Sequence, residues 1–204
     1  MKSTAEKVLD AAENLFAEKG YDATSLGDVA DRVGIRSPSL YNHFRNKDAL
    51  YTAVLERLLQ SFTEPLTELL GRPVTRERVF EWLERVIYAH HENPNFARLV
   101  QHAALSGGPR MTEVIECMVR PMFDRPDAEV VDADLFALGN PDLQPWAVMA
   151  FNNIVMSYIT MAPMYQGVLG IDPMSEESVK KQVELILKLA HLVMGGDLDG
   201  FGPA

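Results

Sequence analysis

Apolar residues recur at helical spacing along most of this chain, and no alternating apolar and polar stretch is long enough to predict a sheet. The clearest stripe is Leu26, Val29, Ala30 and Val33, at i, i+3, i+4 and i+7, which predicts a short amphipathic helix. Ser25 stands in front of it, with Asp28 three residues on, as a capping-box pair. Gly34 reaches positive φ without a steric penalty, so the chain can reverse there and return Ile35 to the core. Ser37 followed by Pro38 predicts a new helix start with Ser37 as cap, because proline lacks the N–H that would be unsatisfied in a first turn. Along this helix Leu40 and Phe44 face inward, leaving Ser39, Tyr41, Asn42 and His43 on the outer or flanking surface. Two short helices around a glycine turn, the second with a polar outer side, are built to enter a DNA groove.

The same patterning extends the helical reading in both directions. A first helix is expected from about Ser3 to Lys19, with Ser3 and Glu6 as a capping box, Gly20 as the stop, and Val8, Ala12, Leu15 and Phe16 facing a three-helix core. Asn46 caps a long fourth helix from Lys47, in which Leu50, Val54 and Leu58 repeat until Pro65 or Gly71 interrupts. Further helices are predicted over Arg76 to His91, Pro94 to Leu105, Met111 to Phe123, Pro145 to Gln166 and Glu176 to Met194. Arg125 to Asp142, rich in Asp, Pro and Gly, reads as a loop, and Asp197 to Ala204 as a loose tail.

Charge at first opposes a nucleic-acid reading, since the formal net charge of the 204 residues is −10. The distribution restores it. From Arg32 to Lys47 there is no Asp or Glu, while Arg32, Arg36, Arg45 and Lys47 are all present. Most of the acid follows residue 50, where it keeps the wrong surface away from DNA. Asn pairs bidentately with adenine and Arg with guanine, so Asn42 and Arg36 are the expected readers of sequence.

The stretch AENLFAEKGYDATSLGDVADRVGI followed by RSPSLYNHFRNKDALYTAVLERL resembles the tetracycline-repressor-like (TetR) family of transcriptional regulators, over roughly residues 5 to 58. The resemblance implies an all-α fold: an N-terminal three-helix helix-turn-helix domain over residues 1–46, then a helical effector-binding and dimerisation domain over 47–204, with 47–70 as the linking helix. It implies that Ser39, Tyr41 and His43 contact phosphates or base edges, that Asn42 is a variable base reader, and that Lys47 clamps a phosphate. Thr24 and Ser25 would approach the backbone from the start of the second helix. Tyr41 is placed on the DNA face by the family pattern, since an aromatic in a short helix is commonly buried. Family members often carry a long polar side chain where this chain has Gly27, so readout is expected to lean on Arg36, Ser37, Tyr41 and Asn42.

Leu143 to Ile171 contains no charged residue and is long enough to span a bilayer, but Asn152, Asn153, Pro163 and Gln166 oppose that, and Asp142 and Asp172 replace the basic flanks. A helix apolar all round is otherwise covered by protein. With the stripe Val179, Val183, Ile186, Ala190 and Val193 of the last helix, it predicts a four-helix bundle made from two chains, and a twofold dimer would meet a near-palindromic operator. Phe96, His102, Met118, Met122, Trp146, Met149 and Asn153 are the candidates for a small apolar or aromatic effector; residues of these types are also ordinary core.

Other chemistries find little support. His90, His91, His102, Glu116 and Cys117 are the residues that could gather around zinc or copper, but adjacent histidines on a helix point about 100° apart and rarely share an ion. His91-Glu92 begins like a zinc-protease motif, yet Asn95 stands where the second His is needed. No P-loop, nucleophile elbow or dinucleotide glycine pattern occurs, so neither an enzyme nor a cofactor is expected. One Cys excludes an internal disulfide and, with a polar helix directly after Lys2, fits the cytoplasm. The expectation is a DNA-binding regulator, a homodimer that represses and is released by an effector. The alternative is a helical dimer that senses a small molecule or a metal without specific DNA recognition.

Overall fold

The computed structural model describes residues 2–72, 74–116, 120 and 141–194. Among these, every long element is helical and no strand occurs: α1 (Thr4–Lys19), α2 (Leu26–Val33), α3 (Ser37–Tyr41), α4 (Lys47–Leu70), α5 (Arg76–Glu92), α6 (Pro94–Ser106), α7 (Gly108–Val114), a 3-10 turn (Pro141–Leu143), α8 (Gln144–Thr160), α9 (Ala162–Leu169) and α10 (Glu176–Val193). Packing groups them into two units. One holds α1, α2, α3, the start of α4 up to Ser61, α6 and α7; the other holds the rest of α4 from Phe62, α5 and α8 to α10. The compact unit around the helix-turn-helix therefore reaches beyond residue 46 and recruits two later helices.

In the first unit the expected caps are in place. Ser3 and Glu6 form a reciprocal capping box on α1, and Gly20 closes it at φ 78°, its N–H donating to the Phe16 carbonyl. Val8, Ala12, Leu15 and Phe16 are buried, as are Val29 and Ala30 of α2, Leu40 of α3, Leu50, Tyr51 and Val54 of α4, and Phe96 and Leu99 of α6. Each large side chain removed from water contributes roughly 1.5–3 kcal/mol before chain entropy is counted. α1 packs on both α2 and α6. Arg57 of α4 spans two acids of α1, donating to Asp10 (2.8 Å) and Glu13 (2.6 Å), and Asn95 at the start of α6 donates to the other Glu13 oxygen (2.9 Å).

In the second unit, Leu69, Val74, Val79, Leu83 and Met194 form one buried cluster and Ile87, Val155, Val183 and Ile186 another. A polar chain crosses it: His91 shares a 2.8 Å hydrogen bond with the Gln182 side-chain oxygen, and Gln182 donates to the Pro173 carbonyl (2.7 Å). Pro65 lies inside α4, which continues to Leu70. The single helix expected over Pro145 to Gln166 is two helices instead, α8 and α9, separated at Met161. Pro163 has no N–H to return to the preceding turn and its ring crowds the carbonyl there, so the helix restarts. α7 begins at Gly108 rather than Met111, and residues 125–140 of the expected loop lie outside the described residues. No helix among the described residues is long and apolar enough to cross a membrane.

Candidate nucleic-acid interface

The turn between α2 and α3 is fixed by backbone chemistry. Gly34 sits in the left-handed region at φ 76°, its N–H donating to Asp31 (3.1 Å), while the Ile35 N–H reaches back to the Ala30 carbonyl (3.0 Å). This is the Schellman pairing that satisfies orphan carbonyls at a helix end. Nothing lies within 4 Å of where a Gly34 Cβ would be, so the preference for glycine comes from backbone conformation and not from space.

At the start of α2 the Asp28 N–H donates to Ser25 Oγ (3.1 Å), and both the N–H and the hydroxyl of Ser25 donate to the Asp28 carboxylate (2.8 and 2.7 Å). The Ser25 hydroxyl holds the Asp28 carboxyl below its ordinary range. Ser25 remains exposed, with its polar atoms already engaged. Thr24 requires a correction. It is 2 % exposed, its hydroxyl lies 2.9 Å from the Gly20 carbonyl and 3.2 Å from that of Leu15, and its N–H donates to Tyr21. Thr24 closes the α1–α2 turn and has no polar group left for a DNA backbone.

α3 begins one position earlier than its sequence signature, with Arg36 at the N-cap, Ser37 as first residue, and no side-chain cap. Leu40, fully buried, anchors the helix, and Phe44 is half-buried. Around that anchor Arg36, Ser37, Asn42 and His43 are exposed, Tyr41 is 54 % exposed, and Ser39 is half-buried. Among the described residues, no hydrogen bond or ion pair occupies the side chains of Arg36, Ser37, Tyr41, Asn42 or His43. A polar face with nothing of its own to bind is available to a ligand. Arg32, by contrast, pairs with Glu18 (3.4 Å) and is partly withdrawn from the basic run.

α4 starts beside this face. Asn46 caps it, its Oδ1 accepting from the Ala49 N–H (2.8 Å). Lys47 Nζ stands 4.1 Å from the centroid of the Tyr21 ring and donates to the Asp22 carbonyl (3.4 Å). Asp48 accepts from the Tyr21 hydroxyl (2.6 Å) and from Arg110 of α7 (2.7 Å). Burial, then the Asp48 hydrogen bond, pushes the Tyr21 phenol up to about 12. Tyr21, Asp48 and Arg110 carried no sequence signal. Sixty-two positions separate the two charges, and only the fold brings them together.

The described effector candidates divide between the two units. Phe96 is buried in the core of the first unit, and His102 packs on the α1 terminus with its imidazole 3.1 Å from an ideal Cβ at Gly20. Trp146 (67 % exposed), Met149 and Asn153 lie on the outside of α8, while Met118 and Met122 fall outside the described residues. A cleft of about 430 Å³ in the second unit is lined instead by Pro65, Leu69, Trp82 and several charged side chains of α4 and α5. The dimer stripe also needs correcting. Val179, Val183 and Ile186 are buried within their own chain, Ala190 packs beside Met194, and Val193 is half-buried. The exposed apolar line on α10 is Leu185, Leu189 and Leu192.

These features define an all-α protein whose amino-terminal unit is a helix-turn-helix. Residues 8–54 match the family model described as bacterial regulatory proteins, tetR family. The chain is 32 % identical over 83 residues to the biofilm operon icaADBC HTH-type negative transcriptional regulator IcaR of Staphylococcus epidermidis, covering 41 % of this chain and 45 % of that one. It is 44 % identical over 57 residues to the HTH-type transcriptional repressor ComR of Escherichia coli, covering 28 % and 27 %. These matches span under half the length of either relative. Over nearly the whole chain, the fold is similar to the ketosteroid transcriptional regulator KstR2 of Mycobacterium tuberculosis, with a TM-score of 0.69 at 19 % identity, covering 96 % of this chain and 95 % of that one. The amino-terminal region, residues 8–54, thus carries the helix-turn-helix sequence of the tetR family of bacterial regulatory proteins, and the whole chain shares its fold with a regulator of known structure.

Proposed function

We propose that this chain is a ligand-responsive transcriptional repressor that binds a near-palindromic DNA operator as a homodimer and is released by a small apolar or aromatic effector. The observation that carries the DNA reading is the unoccupied polar face of α3, from Arg36 to His43, held outward by buried Leu40 in a stretch free of carboxylates. Phosphate contacts from Ser39, His43 and Lys47 set register and salt dependence, while Arg36, Ser37, Tyr41 and Asn42 read base edges. In this reading residues 1–46 are the DNA-reading head, 47–204 the sensing and pairing body, and α4 the link between them. It works in the cytoplasm and performs no catalysis.

Dimerisation is assigned to the outer faces rather than to the buried stripe. Leu185, Leu189 and Leu192 recur at i, i+4 and i+7 on α10 and are exposed, as are Trp146 and Met149 on α8. Two copies of α8 and α10 would bury these side chains in a four-helix bundle. The effector reading is supported only by the apolar, methionine-rich composition of the body.

The test is fluorescence anisotropy with DNA from upstream of the coding sequence, against a scrambled duplex of equal length. Tight binding to the first only, weakened by Asn42→Ala, supports the regulator. Equal, weak affinity for both supports the alternative, a helical sensor without specific DNA recognition.

A further inference from the structure

We propose that Arg110 is a positioning residue for the DNA interface: its guanidinium occupies Asp48 and backs the Tyr21 ring, so that Asp48 does not compete with a phosphate for the Lys47 ammonium. The inference rests on the DNA-binding reading above and adds to it a residue on a different helix, far along the chain.

The geometry is a clasp on the first turn of α4. One prong of Arg110 donates to Asp48 (2.7 Å), the other to Glu113 (2.9 Å), and its guanidinium carbon lies 4.4 Å from the Tyr21 ring centroid. Glu113 in turn accepts from the Thr52 hydroxyl (2.5 Å), so α7 holds α4 at residues 48 and 52, one helical turn apart. The Arg110 side chain is 20 % exposed and Glu113 17 %, so that pair is partly desolvated and fixes the guanidinium, while Asp48, 57 % exposed, meets it at the solvent edge. Arginine suits the place because a planar fork can satisfy two carboxylates and lie on an aromatic face at once; a lysine ammonium cannot.

The consequence falls on Lys47. Lys47 and Asp48 are neighbours in sequence, both reach Tyr21, and the Lys47 charge acts on the Asp48 carboxyl. With Arg110 in place, that carboxylate is neutralised from the α7 side. Without it, the Asp48 carboxylate would keep only the Tyr21 hydroxyl, with no cation opposite its charge, and would compete with a phosphate for the Lys47 ammonium. Arg110 would thus support DNA affinity without touching DNA.

The experiment is operator binding across 50–200 mM salt for the full-length chain. Arg110→Ala is expected to weaken binding about tenfold and to reduce the slope of log K against log [salt] by about one, the share of a single phosphate contact. In an Asp48→Asn background the same substitution should cost less than threefold, because the competing charge is gone. In a Lys47→Ala background it should cost less than twofold. Arg110→Gln, which retains volume and hydrogen bonding without the charge, serves where Arg110→Ala does not fold, and the same results are expected of it. A variant within twofold of wild type overturns the inference, as does a penalty undiminished in both backgrounds, which marks mere structural damage. Absence of operator binding by the wild-type chain overturns the DNA-binding reading and this inference with it.

Discussion

Among the described residues, α3 and α10 each leave one face without partners, and the two faces are opposite in kind. On α3 and the residues that flank it the open side chains are Arg36, Ser37, Tyr41, Asn42 and His43, donors and acceptors that gain nothing from exclusion of water. On α10 they are Leu185, Leu189 and Leu192, which gain nothing from contact with it. The first face suits a hydrated polyanion, bound through counterion release and hydrogen bonds. The second suits a dry, non-directional contact whose strength scales with area. A five-residue helix held by one buried leucine is sufficient for the former. The latter needs the length of α10, whose inner residues Val183 and Ile186 secure it to the second unit.

The largest expected effect breaks the apolar side of this comparison. Replacing Leu185 and Leu189 together by Asp removes four leucines from a paired interface, roughly 6 kcal/mol at the low end of the burial scale, or about ten-thousandfold in dimer affinity. Sedimentation should then show monomer at micromolar concentration with the helical signal intact; unchanged association would remove α10 from the interface. Ile186→Ala on the inner face should do the reverse, costing about 2–5 kcal/mol of stability at unchanged oligomeric state, as read by urea unfolding.

A smaller effect is expected from His90 in the second unit. Burial lowers its imidazole pKa from the ordinary 6.5 to about 4, against the raising effect of the Val86 carbonyl, and the neighbouring His91 lowers it slightly more. The unfolded chain therefore takes up the proton first as pH falls. The stability contribution is complete above about pH 7, declines through 6.5 and levels near 4. Between pH 7 and pH 5 the loss is about 2 kcal/mol. The urea midpoint of wild type should fall accordingly, and His90→Gln should flatten that dependence.

On the polar face, Asn42→Ala should cost about 1–3 kcal/mol of discrimination at one base pair of each half-site, seen as relaxed preference in competition with single-base operator variants. The smallest effect separates contact from scaffold. Thr24→Val should lower stability by about 1 kcal/mol through the lost hydroxyl bond while leaving the salt slope of DNA binding unchanged. A reduced slope would return Thr24 to the interface.

The same contrast explains what was legible in the sequence. α1 and α2 each carry one stripe between a capping box and a glycine stop, and their bounds follow from local chemistry. α10 carries two stripes, β-branched on one side and leucine on the other; periodicity reveals both but cannot tell which meets its own chain. Thr24 was assigned by resemblance to the backbone of DNA, and nothing local signals that its hydroxyl turns toward Leu15 and Gly20. Arg110 and His102 lie beyond any local pattern, since their partners are set by how α6 and α7 pack within the first unit. The exposure of Tyr41 follows from α3 being only five residues long, with Leu40 alone taking the interior position.

Gly20 and Gly34 look interchangeable as helix stops, yet they differ in evolvability. At Gly34 the surroundings are empty, so asparagine, tolerant of left-handed backbone, is an accessible neighbour in sequence space. At Gly20 any Cβ would meet the His102 imidazole at 3.1 Å as well as the left-handed φ of 78°. The space beside Gly20 is thus a socket for a distant helix, and drift at Gly20 is tied to drift at His102.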